Sequence, residues 1–175
     1  MNYIFSYHKI NELFDSHKEI NWIENTDDKV EGTFEVSNIT YGVISHRVFK
    51  KKWYKSGLLN AWNFKFYLED AGKKYFLPTN YGDEIQIMST VINAFQEIVG
   101  IKKPDLLIWR VPEVEISKIR LYSNLIKKAA NKYNYKIDIS GPLKLKGYYH
   151  KVYQFILYKN IEEVEFIKKL NTKGK

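Results

Sequence analysis

Two glutamates stand where an open α/β sheet would place a general base. Glu113 and Glu115 flank Val114 soon after the apolar run Leu106-Leu107-Ile108-Trp109, and such sheets gather ligands beyond the carboxyl ends of their strands. A solvated loop is the other reading of that pair. Upstream, Tyr81 and Gly82 lie in a turn ahead of a helix, where they could line a shallow cleft and touch a cofactor. Two further groups mix positive charge with aromatic faces. Arg47, Lys50, Lys51, Lys52, Trp53, Tyr54 and Lys55 make the first; Lys144, Lys146, Tyr148, Tyr149, His150 and Lys151 make the second. Lysines neutralise phosphates while Trp and Tyr stack on unpaired bases, so these groups predict an anionic partner such as nucleic acid. Alternatively, Trp53 and Tyr149 pack inward and leave the lysines merely hydrated. No Ser/His/Asp set, Walker loop or diagnostically spaced carboxylate pair is present. The histidines, His8, His17, His46 and His150, are scattered singly, so no metal site is expected.

The elements that must hold these residues are legible in the hydrophobic pattern. Thr33 to Val36 alternates as a half-buried strand, Ser37-Asn38 forms a turn, and Ile39 to Phe49 returns as a second strand. Asn60 to Leu68 alternates again, and Glu69-Asp70-Ala71-Gly72 turns it into a strand ending at Leu77. A helix opens at Asp83-Glu84 and carries Ile85, Met88, Val91, Ile92, Phe95, Ile98 and Val99 on one stripe. Lys103-Pro104 ends that connection, and the apolar run to Trp109 reads as a buried central strand. A second helix begins near Ile116 with Ile119, Tyr122, Ile126, Ala129 and Tyr133 on one face. Tyr135 to Ile139 returns as a strand broken by Gly141-Pro142, and Tyr148 to Tyr158 is the last strand. Helices are expected over 4–17 and 161–170, with Asn21 to Asp28 polar and turn-rich. The sum is an α/β (α+β) chain: an antiparallel meander, then β-α-β-α-β, in one mixed sheet with helices on both faces.

Composition bounds the function classes. At 175 residues with 45% apolar content the chain is expected to be one domain. Within it, 1–29 forms an N-terminal layer, 30–158 the core, and 159–175 a terminal helix and tail. No window is apolar enough to span a membrane, and no secretory leader is visible, so a cytoplasmic setting is expected. The absence of cysteine excludes disulfides and thiolate metal sites. Residues 1–36 hold three basic and eight acidic residues, so the net charge of +8 belongs wholly to the remainder. Aromatic residues at 16% favour a recognition surface without locating one.

The order of elements over roughly residues 30 to 158 resembles the GNAT superfamily of N-acetyltransferases. Ile119-Arg120-Leu121-Tyr122 is similar to that family's aliphatic-x-Leu-Tyr stretch, and Tyr135-Lys136 to its terminal Gly-Phe. The resemblance implies acetyl-coenzyme A gripped by the N-terminus of the first long helix. It makes Tyr122 the acid that protonates the departing thiolate, although Tyr122 also suits plain packing. The chain further resembles small proteins of tailed phages through Phe34-Glu35-Val36, Thr90-Val91 and Arg120-Leu121-Tyr122. It departs from the GNAT pattern at the phosphate turn, Thr79-Asn80-Tyr81-Gly82-Asp83-Glu84, which has one glycine and two carboxylates. Asp83 and Glu84 complement the helix dipole but repel a pyrophosphate by about 1–4 kcal/mol per charge pair.

That departure leads to a phage-borne, non-enzymatic binding protein on a GNAT-like scaffold. It would grip a host or viral macromolecule, nucleic acid or protein, and need no cofactor. The alternatives are a divergent acetyl-coenzyme A-dependent N-acyltransferase, with Tyr122 as acid and Glu113 or Glu115 as base, and a virion or assembly component.

Overall fold

The computed structural model describes residues 16–48, 60–75, 83–113, 116–145 and 150–159. Its strands are β1 (Asn21–Asn25), β2 (Lys29–Val36), β3 (Ile39–Arg47), β4 (Ala61–Asp70), β5 (Lys73–Tyr75), β6 (Leu106–Pro112), β7 (Lys136–Leu143) and β8 (Val152–Tyr158). Its helices are α1 (Glu84–Lys102) and α2 (Ile116–Lys132). The strands form one mixed sheet in the order β1-β2-β3-β4-β6-β8-β7, with β5 paired to β4 off this path. The expected helices at the two termini lie outside the described residues.

The β2–β3 hairpin forms as its sequence predicts. Ser37 and Asn38 both take positive φ (52° and 63°), the two-residue turn whose twist suits a hairpin. β1 departs from expectation, because its sequence reads as polar turn. An edge strand needs only one half-buried side, and β1 alternates between exposed and partly buried positions. The meander therefore has four strands, and its last, β4, is the parallel neighbour of β6. That place was expected for the strand ending at Leu77. In the structure β5 only extends the β4 hairpin, pairing Leu68 with Tyr75.

Both described helices cover one face of the sheet, where Ile87, Met88, Val91, Ile92, Phe95 and Ile98 of α1 join Ile126, Ala129 and Ala130 of α2 in a single core. Lys132 Nζ of α2 donates to Gln96 Oε1 of α1 at 3.2 Å. Right-handed crossovers explain this. The steps β4-α1-β6 and β6-α2-β7 advance the same way across the sheet, so their helices fall on the same side. Among the described residues no helix covers the far face. Ile85, expected in the core stripe, is 43% exposed, and Ile87 and Ala94 are buried instead. α1 stops where Lys103 turns left-handed (φ 44°) and donates its N–H to Val99 O, one residue before Pro104.

Past α2 the chain enters β7, and β8 inserts between β6 and β7, antiparallel to both. Gly141-Pro142 does not end β7 but makes an irregularity in it, between Ser140 and Leu143. Gly141 has φ +140°, and an added Cβ would lie 2.8 Å from Val152 O, so only glycine fits there.

Candidate functional site where two parallel strands part

β4 and β6 are paired over four residue pairs, Ala61 with Leu106 through Phe64 with Trp109. Both strands then continue without pairing to each other. β4 runs on to Asp70 and β6 to Pro112, where β6 remains bonded to β8. β3 occupies the other edge of β4, so β5 must pair on the same edge as β6, at Leu68 to Asp70. Lys65 to Tyr67 therefore lie between two ladders on that edge.

The helix-side floor beneath this parting is aromatic. Phe64 meets Phe95 edge-on with centroids 5.3 Å apart and Trp109 at 5.0 Å, while Phe95 stacks on Trp109 at 5.9 Å. Trp109 and Val111 face the helices, so Arg110 between them faces the far side. On β4 the far-side positions are Lys65, Tyr67 and Glu69, alternating with Phe64, Phe66 and Leu68.

On that far side a buried carboxylate organises the β4 flank. Glu31 on β2 is 5% exposed. Lys29 Nζ lies 2.7 Å from its Oε2, and Lys74 Nζ of β5 makes a close ion pair with its Oε1. The Tyr67 hydroxyl donates to the same Oε1 at 2.7 Å. Tyr67 reaches β2 only because β3 presents Gly42, where a Cβ would lie 2.1 Å from the tyrosine Cζ. Burial pushes the Glu31 carboxyl up, but the bonds from Lys29, Lys74 and Tyr67 outweigh it and hold it at about 2. Burial first, and then the Glu31 charge, raise the Tyr67 phenol. Neighbouring His46 is lowered by burial and by Lys29 and Lys65. Sequence reasoning missed this group, although Lys29 and Glu31 alternating on β2 was a usable signal.

The β6 flank carries Arg110, whose Nε donates to Gln154 Oε1 at 2.9 Å directly across the β6–β8 ladder. At the carboxyl end of the sheet, Asp83 occupies the N-cap position of α1 without capping it through its side chain. Its carboxylate instead accepts a short hydrogen bond from Ser37 Oγ in the β2–β3 turn. The first intrahelical bond runs from Ile87 N to Asp83 O at 3.0 Å, and the Asp83 side chain bonds none of the leading amides. A separate cleft of about 470 Å³ lies between β1 and α1, lined by His17, Lys18, Glu19, Ile20, Trp22, Asn93 and Glu97. Glu97 there is engaged by Trp22 Nε1 at 3.0 Å and Asn93 Nδ2 at 2.8 Å, a tie between strand and helix.

Of the residues singled out by sequence, Glu113 sits just past the carboxyl end of β6, its N–H bonded to Lys151 O at 2.8 Å. Tyr122 lies on α2, with its side chain outside what is described. Glu115, Tyr81, Gly82, Lys50, Lys51, Lys52, Trp53, Tyr54, Lys55, Lys146 and Tyr149 fall outside the described residues. Arg47 pairs with Trp62 near the start of β4 and lies 4.0 Å from Asp28. Lys144 and Lys151 are exposed at the other end, beside Glu113. The structure does not bring Arg47 together with those two lysines. Among the described residues no three acidic or histidine side chains gather as metal ligands, and no helix is long and apolar enough to cross a membrane.

No family model matches the chain, and no curated protein matches its sequence. A solved structure does match: a point mutant of the spermidine N-acetyltransferase SpeG from Vibrio cholerae, at 12% identity and a TM-score of 0.42, covering 90% of this chain and 81% of that one. The match is to an acetyltransferase. The chain itself is a mixed α+β protein with one large mixed sheet and two described helices. The expectation of a non-enzymatic, phage-borne binding protein is corrected accordingly. The structural neighbour is an enzyme of the alternative class, and nothing in the comparisons speaks for a phage origin.

Proposed function

We propose that this chain is a divergent N-acyltransferase whose donor, an acyl thioester of the coenzyme A type, lies where β4 and β6 part. The observation that carries the reading is the loss of β4–β6 pairing after Phe64 and Trp109 while both strands continue. The extended arm of coenzyme A bears two amides, which suit a place between two strands that have ceased to pair with each other. The amino end of α1, whose dipole favours an anion, lies at the same end of the sheet, and the Asp83 carboxylate that opposes one there accepts a bond from Ser37 Oγ.

The donor would supply an activated acyl carbon. The chain must hold the amine against it, take one proton from nitrogen as the C–N bond forms, and deliver one to sulfur as the C–S bond breaks. We assign the first transfer to Glu113, which follows the carboxyl end of β6. Tyr122 on α2 is assigned the second, since an unprotonated thiolate reverses the reaction more readily.

Release of free thiol from acetyl-coenzyme A, measured against a panel of primary amines, tests the reading. Turnover above background hydrolysis is expected with at least one amine, reduced about 10²-fold or more by Glu113→Gln and by Tyr122→Phe. Background-level release with every amine contradicts it.

A further inference from the structure

The cleft of about 470 Å³ between β1 and α1 takes no part in the proposed reaction. β1 stands three strands from β4, about 14 Å at the usual strand spacing, so a small ligand here does not reach the parting. Two ties frame the cleft. Thr90 Oγ1 of α1 accepts from Lys18 N at 2.9 Å, and Trp22 Nε1 of β1 donates to Glu97 Oε2 at 3.0 Å. Thr90 and Glu97 are about two turns apart on α1, so the ties leave a gap of about 10 Å. Ile20 and Trp22 form its apolar side. They lie over Gly32 of β2, where an added Cβ would be 2.7 Å from Ile20 Cγ2 and 2.8 Å from Trp22 Cε3.

Glu97 sits in this wall half-buried, with both oxygens held by neutral donors. Oε2 accepts from Trp22, and Oε1 accepts from Asn93 Nδ2 at 2.8 Å. The two bonds orient the carboxylate without neutralising it, and each oxygen keeps a further acceptor position. Among the described residues no basic side chain makes an ion pair with it. A neutral glutamine would tie strand to helix equally well, whereas a charge kept partly out of water is best matched by a cation. Its surroundings suit one. Asn93 points its nitrogen at Glu97, so its Oδ1 is left as an acceptor, and the indole offers a π face. Glu19 adds a second, exposed carboxylate at the rim, against one exposed lysine, Lys18.

We propose that this cleft binds an organic cation, an ammonium or guanidinium group on a hydrocarbon stem. The charge meets Glu97, and the stem lies along Trp22 and Ile20. A bare metal ion does not fit, because no three acidic or histidine side chains gather among the described residues. The site is separate from the acyltransferase reading and does not depend on it.

The test uses butylammonium and butylguanidinium as probes, with butanol and butyrate as the neutral and anionic counterparts. The Trp22 indole N–H, assigned by its loss in Trp22→Phe, is followed by NMR together with the backbone amides of Ile20, Asn93 and Glu97. At least one cation should shift these signals saturably, in the millimolar range and at least tenfold more tightly than butanol or butyrate. The stronger of the two cations identifies the head group. Glu97→Gln keeps an acceptor for Trp22 and removes the charge, so it should weaken binding tenfold or more. Where that variant does not fold, the comparison of cation with butanol on wild type still decides. Equal binding of butanol, no saturable shift with either cation, or undiminished affinity in a folded Glu97→Gln overturns the proposal. So do shifts confined to Arg110 and Glu113, which would place the cation at the reaction end of the sheet. Failure of thiol release from acetyl-coenzyme A contradicts the proposed function and leaves this site standing.

Discussion

Replacing Glu31 by glutamine removes one negative charge from a group that two lysines and a tyrosine share. The folded carboxyl sits at about 2 against an ordinary 4.5. At about 1.36 kcal/mol per pKa unit, this is worth at most about 3 kcal/mol at neutral pH. The lysine side chains are 29% and 40% exposed, so they recover hydration once the carboxylate is gone. Glutamine still accepts from Tyr67. A net loss of about 2 kcal/mol is therefore expected, or a fall in melting temperature of roughly 4–8 °C for a chain of this size. The sign with pH follows from the lowered folded pKa. The contribution is whole above about pH 5, and it is lost as acid protonates first the unfolded carboxyl near 4.5 and then the folded one near 2. Urea unfolding at pH 7 and at steps down to pH 3 measures both quantities. Glu31→Gln should be less stable at pH 7 and converge on wild type as the pH falls. Equal stability at pH 7 with parallel acid curves would refute the reasoning.

Gly42→Ala forces the Tyr67 ring off β3 and breaks its bond to Glu31, at a cost of about 1–3 kcal/mol. Combined with Tyr67→Leu, it should cost clearly less than the sum of the two single changes, and strict additivity in denaturant unfolding counts against the contact. Phe64→Ala opens the aromatic floor shared with Phe95 and Trp109 and should destabilise by about 3–5 kcal/mol; a loss under 1 kcal/mol in the same assay would show the floor is not packed as described. His46 should titrate below 6.5 by NMR, because burial and then Lys29 and Lys65 oppose its charge. A group lowered in this way contributes stability above its unfolded pKa that is lost as pH falls, and a midpoint above 6.5 would contradict the environment assigned to it.

The fold was legible wherever a segment carried its own period. Ser37-Asn38 between two alternating runs identified the hairpin, and the stripe from Met88 to Val99 identified α1. Partner choice was not legible. Nothing local distinguishes Asn60–Leu68 from Lys73–Leu77 as the neighbour of β6, because a parallel pairing is decided by the whole crossover. β1 escaped notice because an edge strand carries little apolar signal. The site was harder still. Glu31 lies 36 residues from Tyr67 and 43 from Lys74, and the tyrosine reaches it only past Gly42. Asp83 was correctly placed at the helix entrance, but its bond to Ser37 depends on tertiary contact across the β2–β3 turn.

Amide hydrogen exchange with and without acetyl-coenzyme A at millimolar concentration bears most directly on the acyltransferase reading. Added protection is expected along Lys65 to Tyr67 of β4 and at Arg110 and Val111 of β6, together with the leading turn of α1. Unchanged exchange at all of these amides, or protection confined to the β1–α1 cleft, would contradict a donor seated between the parting strands.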